Sequence, residues 1–355
     1  MKEMTSLERV QAVLNGEIPD RIPVIPQSFM FSATDAGYNI GEINRNPAKM
    51  AHSMRISQEK YGYDGCVIDV DDVTLAEACG AKVIFRDTEV AVLDERNPLL
   101  NSLEEIDDLK IPDPLKDGRM PEWLEITQRL VESIGDHVHI MGRADQGAFD
   151  LLCLLRGPQE FMMDLLTEDE DVILHALEYA NEVHIRFARA QLMAGAHSTS
   201  MGDSYAGPNL VSPDLYRKFA FPFEIEVVKA VSDLPGAYSI HICGDVTKIL
   251  KEMGETGAKI LELDWQVDMG EARSIIPKET VLMGNVDPSD PLVLGTPEDV
   301  LAKSKYIIES TKGKGLILSS GCAMGSNTKP ENVQALTDAA KLYGTYEQLC
   351  ELQAE

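Results

Sequence analysis

The sequence has no run of about 18 consecutive apolar residues, the length that a membrane-spanning helix requires. An apolar signal-peptide core is missing too, because residues 1–6 lead directly into a polar amphipathic segment. Basic residues are scarce: 32 Lys and Arg face 59 Asp and Glu, so the net charge is −27. Such a surface repels nucleic-acid phosphates and anionic membranes. We therefore expect a soluble, cytoplasmic protein that binds neither nucleic acid nor membranes.

Two further patterns are absent, a cysteine framework and a dinucleotide-binding loop. Six cysteines are spread over 355 residues without the short spacings of a disulfide scaffold, which is typical of a reducing compartment. No G-x-G-x-x-G motif follows the first predicted strand, which argues against dinucleotide binding. A hydrophobic content of 44% is ample for a large core. These features fit a compact small-molecule enzyme or a binder of a less acidic protein.

Short apolar runs alternate with helical patterns along most of the chain. Strands are predicted at residues 21–26, 66–69, 137–142, 197–202, 237–243, 259–264, 280–285 and 315–320. Alternating strands and helices build a parallel sheet, and eight such units match a closed barrel in number and size. An open, doubly wound sheet is the alternative. We predict an α/β fold in which residues 1–355 form a single domain, a (β/α)8 TIM barrel.

Two predicted elements lie outside this repeat. Thr5 and Glu8 have the spacing of a capping box, and an apolar stripe with helical spacing follows them. We therefore expect an N-terminal helical extension. Residues 81–85 and 89–93 have the pattern of two short strands, which predicts a β-hairpin excursion from the barrel.

The segment around His241 carries the strongest chemical signal. His241 and Cys243 are two residues apart in a predicted strand, so their side chains face the same side. Cys322 follows the last predicted strand, and the carboxyl ends of all barrel strands meet at one rim. Imidazole and thiolates suit zinc, and three protein ligands leave a fourth position open for chemistry. We predict a Zn2+ site made of His241, Cys243 and Cys322.

The spacing of these ligands limits the alternatives. Cys243 and Cys322 are too far apart in the chain for a compact zinc-finger module. The structural alternative is a hydrogen-bonded core histidine with two small buried thiols. We expect structural or surface roles for the other histidines and cysteines considered: His137, His139, His175, His184, Cys66, Cys79, Cys153 and Cys350. Of these, His175 and His184 are expected to be solvated or to cap a helix.

Polar side chains follow several other predicted strands. Glu262 and Asp264 share one face and are the candidate catalytic residues, since either one fits the fourth zinc position until substrate displaces it. Asp264 is favoured because it lies nearer the strand end; the alternative is a hydrogen-bond acceptor or a helix cap. Asp72, Asp203 and Asn285 follow strands at the same rim. They are candidate substrate-binding residues, or each holds a loop through an Asx-turn.

Several segments together resemble the uroporphyrinogen decarboxylase superfamily. Each is moderately specific, and their order along the chain makes the resemblance strong. They are residues 5–10 (TSLERV), 20–24 (DRIPV), 77–80 (EACG), 202–206 (GDSYA) followed by Ser212 and Pro213, and 284–288 (GNVDP). The resemblance extends over nearly the whole chain and implies a (β/α)8 barrel.

Within that superfamily, His241, Cys243 and Cys322 resemble the zinc motif of the corrinoid-dependent methyltransferases, such as the methylcobamide:coenzyme M methyltransferases. The resemblance implies a zinc-dependent enzyme that moves a methyl group between a corrinoid, carried by a partner protein, and a small substrate. That substrate is a thiol similar to coenzyme M or a methoxylated or methylated donor. The direction of transfer stays open.

Two other functions stay open. A uroporphyrinogen-type decarboxylase would use no metal, and Asp72 fits the position of the pyrrole-binding aspartate of these enzymes. Residues 26–30 lack the arginine that decarboxylases carry there for porphyrin carboxylates. Asp69, Asp71 and Asp72 are also predicted to have no nearby arginine, so they would repel such a substrate. The other alternative is a non-catalytic module that binds a corrinoid protein and contains structural zinc.

Overall fold

The computed structural model describes residues 2–69 and 71–354. The described residues form nine strands. Their bounds are β1 Gly65–Ile68, β2 Val83–Ile84, β3 Val92–Leu93, β4 His139–Arg143, β5 Ser198–Gly202, β6 Ala237–Ile242, β7 Ile260–Leu263, β8 Val281–Val286 and β9 Leu316–Ser320.

Helices alternate with the strands over most of the chain. The α-helices of the described residues are α1 Ser6–Leu14, α2 Phe29–Asp35, α3 Ile40–Ile43, α4 Pro47–Tyr61, α5 Thr74–Cys79, α6 Met120–Ile134, α7 Ala148–Arg156, α8 Pro158–Thr167, α9 Glu170–Met193, α10 Pro213–Phe219, α11 Phe221–Val231, α12 Leu250–Glu255, α13 Met269–Ile275, α14 Pro297–Ser310, α15 Pro330–Tyr343 and α16 Tyr346–Ala354. Short 3-10 helices cover Leu103–Asp108, Ser204–Ala206 and Thr247–Ile249.

Seven strands form one parallel sheet in the order β1-β4-β5-β6-β7-β8-β9. Each strand therefore pairs with its neighbours in the chain, apart from the hairpin strands, as expected of a βα repeat. The register between β5 and β6 places Gly202 opposite His241, and that between β6 and β7 places His241 opposite Glu262. The carboxyl ends of these strands thus lie side by side.

Residues 21–26 lie between the two edges of this sheet. The Ile25 amide donates to the Leu318 carbonyl of β9 at 2.9 Å, and the Asp64 amide, next to β1, donates to the Val24 carbonyl at 2.6 Å. The strand predicted here is wrong in detail, since the segment makes isolated bridges at Arg21 and Val24. Pro23 and Pro26 provide no amide hydrogen for a ladder. The segment nevertheless links both edges, and the predicted barrel fold is confirmed.

The inward face of the sheet changes from apolar to polar towards the carboxyl ends of the strands. Inward side chains at the opposite end pack with α1 in one apolar cluster: Val10, Val13, Leu14, Ile25, Val67, Met141, Ile260, Val281, Met283 and Ile317. Two residues beyond Met141 and Ile260, the same faces present the buried side chains of Arg143 and Glu262. An apolar plug therefore supports a polar layer within the barrel.

Both predicted additions to the barrel are confirmed. The Thr5 hydroxyl accepts from the Glu8 amide at 3.2 Å, and the Thr5 amide donates to the Glu8 carboxylate at 2.7 Å, so a capping box begins α1. Strands β2 and β3 pair in antiparallel fashion as a short hairpin. Among the described residues, no helix combines the length and apolar character needed to cross a membrane.

Candidate metal centre

His241, Cys243 and Cys322 converge at the carboxyl end of the barrel. His241 belongs to β6, Cys243 follows that strand directly, and Cys322 lies just beyond β9. The His241 Nε2 atom lies 3.0 Å from the Cys243 sulfur, which lies 3.6 Å from the Cys322 sulfur. One nitrogen and two sulfur atoms thus lie within 4.8 Å of one another. The structure brings together the three residues that the sequence predicts as ligands.

The His241 ring is held in the orientation that a metal ligand needs. Its Nδ1 atom lies 3.0 Å from the backbone carbonyl oxygen of Glu262, the register partner of His241 on β7. A proton on Nδ1 donates to this carbonyl, which leaves the Nε2 lone pair directed at the two sulfurs. Histidine ligands commonly have such a partner for their second nitrogen.

The three groups alter each other's protonation. The hydrogen bond between the two thiols lowers the pKa of Cys243 and raises that of Cys322. Burial opposes a charged imidazole, but the Cys322 sulfur outweighs it and raises the pKa of His241 to about 9. The protein alone therefore favours one thiolate over two. A dication bound by all three residues would stabilise both thiolates and a neutral imidazole.

Glu262 and Asp264 lie beside this group but are engaged elsewhere. The Glu262 carboxylate accepts from Arg143 at 2.6 Å and from the Ser239 hydroxyl at 2.8 Å. The Asp264 carboxylate accepts from the Gln266 amide at 2.9 Å, as in an Asx-turn. Neither belongs to the group of ligand atoms around His241 in the described part of the chain. Their assignment to the fourth zinc position stays a prediction.

A cavity of about 750 Å³ opens over the metal centre. Its walls combine side chains from the strand ends with residues of the β2–β3 hairpin, which lies over one side. Lining residues include Phe29, Asp69, Asp72, Val90, Leu93, Arg143, Asp145, Tyr205, His241, Cys243 and Cys322. The candidate metal ligands and a cavity of the size that takes a small organic molecule thus form one site, at the rim where barrel enzymes have their active sites.

A second group of carboxylates lines the same cavity. Oxygens of Asp69, Asp72 and Asp145 lie within 4.8 Å of one another. Burial and the charge of Asp145 raise the pKa of Asp69 well above its ordinary value, and burial raises that of Asp145 to about 6. Partial desolvation in the cavity and the charge of Asp71 also raise the pKa of Asp72. The predicted substrate-binding residue Asp72 thus lies in the cavity wall.

The prediction that Asp69, Asp71 and Asp72 lack nearby arginines is wrong. Arg143 Nε lies 3.3 Å from an Asp69 oxygen, and the Arg119 guanidinium forms a salt bridge with Asp71. Both arginines come from segments distant in the chain, so local sequence gives no sign of them. Each is already bound to carboxylates of the protein.

Asp203 and Asn285 lie behind the cavity wall. The Asp203 carboxylate accepts from the Asp150 amide at 2.8 Å, and burial raises its pKa to about 7. The Asn285 amide group donates to the backbone carbonyls of Asp264 and Val267, at 2.9 and 2.7 Å. Neither lines the cavity. The structure places both where they hold loops, the alternative that the sequence also allows.

His184 differs from its prediction as a solvated or capping residue. It is fully buried in α9, where its Nδ1 lies 2.9 Å from the Gln146 carbonyl oxygen and its Nε2 lies 2.6 Å from the Tyr238 hydroxyl. Gln146 lines the cavity next to Asp145. His184 therefore supports the loop that carries Asp145.

Sequence reasoning missed Arg143 and Asp145, although a signal was available. Both follow the end of the predicted strand 137–142 and thus meet the criterion that selected Asp72, Asp203 and Asn285. Extending that criterion to each strand would have found them.

A barrel with its site at the carboxyl ends of the strands defines a barrel enzyme. The family model described as uroporphyrinogen decarboxylase (URO-D) matches residues 5–343. The chain belongs to this family, and the predicted family is confirmed.

Relatives within the family include methyltransferases and decarboxylases. The methylcobamide:CoM methyltransferase MtbA of Methanosarcina mazei is 29% identical over 348 residues, which cover 97% of this chain and 99% of that relative. A uroporphyrinogen decarboxylase of Prochlorococcus marinus is 28% identical over 260 residues, 70% of this chain and 72% of the relative. A solved structure of a methyltransferase from Methanosarcina mazei superposes with a TM-score of 0.87 at 26% identity, covering 96% of this chain and 99% of the other. Similarity to these methyltransferases therefore extends over more of the chain than similarity to this decarboxylase.

Proposed function

We propose that this chain is a zinc-dependent methyltransferase that moves a methyl group between a corrinoid on a partner protein and a small substrate. The substrate is a thiol of the coenzyme M kind or a methylated or methoxylated donor. The observation that carries the proposal is the convergence of His241 Nε2 with two cysteine sulfurs on a cavity wall. We propose the whole chain as one catalytic domain in the cytoplasm, where its thiols stay reduced.

The residues present fit zinc. Two thiolates and an imidazole whose second nitrogen is held by a carbonyl form a common donor set for this metal. His241, Cys243 and Cys322 would hold the ion and leave a position facing the cavity. Bound there, zinc supplies Lewis acidity that lowers the pKa of a substrate thiol or polarises a methylated donor.

The chain's own residues supply positioning. The Glu262 carbonyl orients the imidazole, while Arg143 and Ser239 bind the carboxylate of the same glutamate and fix β6 against β7. In the thiol direction, the substrate thiol releases its proton to solvent as it binds, and its sulfur then forms a bond to the methyl carbon. The bond from that carbon to cobalt breaks, and cobalt retains the electron pair. The walls of the cavity exclude water and align the sulfur with the methyl group.

The corrinoid must approach from outside, because it is bulky and belongs to another protein. Trp265 is 44% exposed at the rim, and its backbone lies against Gly321, the residue before Cys322. An aromatic side chain exposed beside the reacting centre is typical of a docking surface. We propose that the rim around Trp265 contacts the corrinoid protein.

The experiment mixes the zinc-loaded protein with methylcobalamin and thiols, and separately with cob(I)alamin and methylated or methoxylated donors, and follows the cobalt absorbance. We expect the spectrum to change with at least one substrate, and the change to disappear in Cys322→Ala. Cys350→Ala, which alters a thiol on α16 far from the cavity, is the matched control and should behave as wild type. No spectral change with any substrate, even with a cognate corrinoid protein present, would exclude the methyltransferase function.

The same protein samples test the two alternatives. A metal-free decarboxylase is excluded if the purified protein contains about one zinc that is lost in Cys322→Ala. A structural zinc predicts that chelation lowers the thermal stability. Unchanged stability with loss of methyl transfer after chelation would identify the zinc as catalytic.

A further inference from the structure

The charged side chains that line the cavity over the candidate metal centre are mostly acidic. Its acidic lining residues are Asp69, Asp71, Asp72, Asp94, Glu95, Asp145, Asp150 and Glu160. Lys82 and Arg143 are the basic side chains among the described lining residues. Lys82 lies 2.7 Å from an Asp94 oxygen, and Arg143 lies 2.6 Å from Glu262. Both cations thus already face carboxylates of the protein.

The carboxylates of Asp69, Asp72 and Asp145 form the most compact part of this lining. The Asp145 carboxylate accepts from the amide of Gly202, and Gly202 is the register partner of His241. The acidic group is therefore one strand away from the metal ligands, on the wall of the same cavity. Both groups are thus open to one small molecule bound in this cavity.

The acidic group has unused bonding capacity. Asp69 is 5% exposed, and its Oδ1 atom accepts no hydrogen bond from the residues that the structure describes. Arg143 Nε, 3.3 Å from the other Asp69 oxygen, donates none either. A buried carboxylate oxygen without a donor is costly unless a ligand supplies one. A cation bound beside Asp69 would offset part of this cost through its charge.

We propose that the small substrate of this site carries an ammonium group that binds to Asp69, Asp72 and Asp145 while its sulfur or methylated group faces the metal centre. The inference rests on the proposed function and specifies its substrate class: an aminothiol or its methylated form. A thiol with an anionic tail, such as coenzyme M itself, would meet three carboxylates at this wall against one guanidinium, which is already paired with Glu262, and is disfavoured.

An ammonium group fits the three carboxylates better than a second metal ion does. Arg143 lies 3.3 Å from Asp69 and 4.0 Å from Asp145, so a dication at this place would face a guanidinium at short range. An ammonium has one charge and three N–H donors for three carboxylates. The cavity volume of about 750 Å³ also exceeds what an ion requires and suits an organic molecule.

Three thiols with the same two-carbon skeleton test the proposal: aminoethanethiol, mercaptoethanol and mercaptoethanesulfonate. Their affinities for the zinc-loaded protein are measured by titration calorimetry. We expect the ammonium thiol to bind about tenfold or more tightly than the neutral thiol, and the sulfonate to bind weakest. Asp72→Asn should reduce the preference for the ammonium thiol over mercaptoethanol by about tenfold.

Asp136→Asn is the control, because it removes the same charge from an exposed position beside β4 at the opposite end of the barrel, and it should leave the preference unchanged. Equal affinities, a preference for the sulfonate, or an unchanged ratio in Asp72→Asn would overturn the proposal. So would a second equivalent of divalent metal that Asp72→Asn removes. Charge-selective binding without methyl transfer would contradict the proposed function alone, whereas methyl transfer to the sulfonate in preference would contradict this inference alone.

Discussion

At the scale of single residues, Arg143 connects the two halves of the site. Its guanidinium is 2% exposed and contacts Glu262 at 2.6 Å, Gln27 at 3.2 Å and Asp69 at 3.3 Å. Glu262 in turn has its carbonyl on the His241 ring. Arg143 therefore neutralises the carboxylate of Glu262, and the backbone carbonyl of the same Glu262 orients His241, the proposed metal ligand.

Arg143→Met should lower the free energy of unfolding by about 3–5 kcal/mol, because it leaves buried Glu262 without its cation. Urea unfolding followed by circular dichroism measures the change. Arg143→Met with Glu262→Gln should recover much of the loss, since the buried charge is removed as well.

Arg129→Met is the control for this pair. It breaks an exposed salt bridge to Glu125 on the surface of α6 and should change the unfolding free energy by no more than about 0.5 kcal/mol. A loss in Arg143→Met as small as that of Arg129→Met would contradict the role given to Arg143.

The convergence of His241, Cys243 and Cys322 was predictable from sequence, whereas their surroundings were not. His241 and Cys243 share a face of one strand, and barrel topology alone brings Cys322 to the same rim. The partners of Asp69 and Asp71 were not predictable in this way. Arg143 and Arg119 approach them through packing between elements, which no short-range pattern in a single sequence reveals.

At the scale of elements, the β2–β3 hairpin forms one wall of the cavity. Phe85, the residue after β2, packs this hairpin against two arginines. The guanidinium carbon of Arg45 lies 3.8 Å from the centre of the Phe85 ring, and that of Arg119 lies 5.0 Å from it. Cation–π contacts of this kind stabilise partly exposed segments by about 0.5–1 kcal/mol each. The Phe85 ring thus ties the hairpin to the helical side of the barrel, together with hydrogen bonds from Gly41 to the Asp87 carbonyl and from Asn44 to the Glu89 carbonyl.

Phe85→Ala should loosen the hairpin and raise the KM for the small substrate by about fivefold, the effect of losing about 1 kcal/mol of positioning energy. The zinc content should not change, because the hairpin supplies no metal ligand. Steady-state kinetics and amide hydrogen exchange of residues 83–93 measure the two effects. Phe85→Trp keeps the ring and should retain the wild-type KM; equal KM values for Phe85→Ala and wild type would show that the hairpin does not shape the site.

The order of elements followed from the alternation of apolar and helical patterns, and the first strand shows where that pattern fails. Residues 21–26 have the apolar character of a strand, but two prolines limit their pairing to isolated bridges. The spacing of apolar residues indicates which side chains are buried. The row of hydrogen bonds between two strands also requires backbone amide hydrogens, which proline lacks. A pattern that contains proline therefore predicts the position of a strand better than its hydrogen bonding.

At the scale of the whole molecule, acidic side chains occur in the interior as well as on the surface. Glu224 on α11 is 1% exposed, and one of its carboxylate oxygens has no hydrogen-bond partner in the described structure. Burial, with a contribution from Asp203, raises its pKa from 4.5 to about 8. The folded protein therefore binds the carboxyl proton of Glu224 more tightly than the unfolded chain does. The stability that this proton contributes falls as the pH rises from about 4.5 to 8.

Glu224→Gln should flatten the pH dependence of stability between pH 5 and 8, by up to about 1.4 kcal/mol per pH unit. Unfolding free energies of variant and wild type at several pH values measure the difference. Glu226→Gln changes an exposed glutamate on the same helix and controls for the effect of net charge. A wild-type stability that rises over this range relative to Glu224→Gln would contradict the assignment of a protonated, buried Glu224.

The central claim is that His241, Cys243 and Cys322 bind one metal ion and leave a position open towards the cavity. Substitution of the zinc by cobalt(II) and titration with aminoethanethiol, followed by the sulfur-to-cobalt charge-transfer absorption, tests it most directly. We expect one cobalt per chain with absorption from two thiolates, an increase of about half when the substrate sulfur adds a third, and loss of one thiolate's contribution in Cys322→Ser. A charge-transfer absorption that does not increase when the thiol is added, or one that Cys322→Ser leaves unchanged, would contradict this arrangement of ligands.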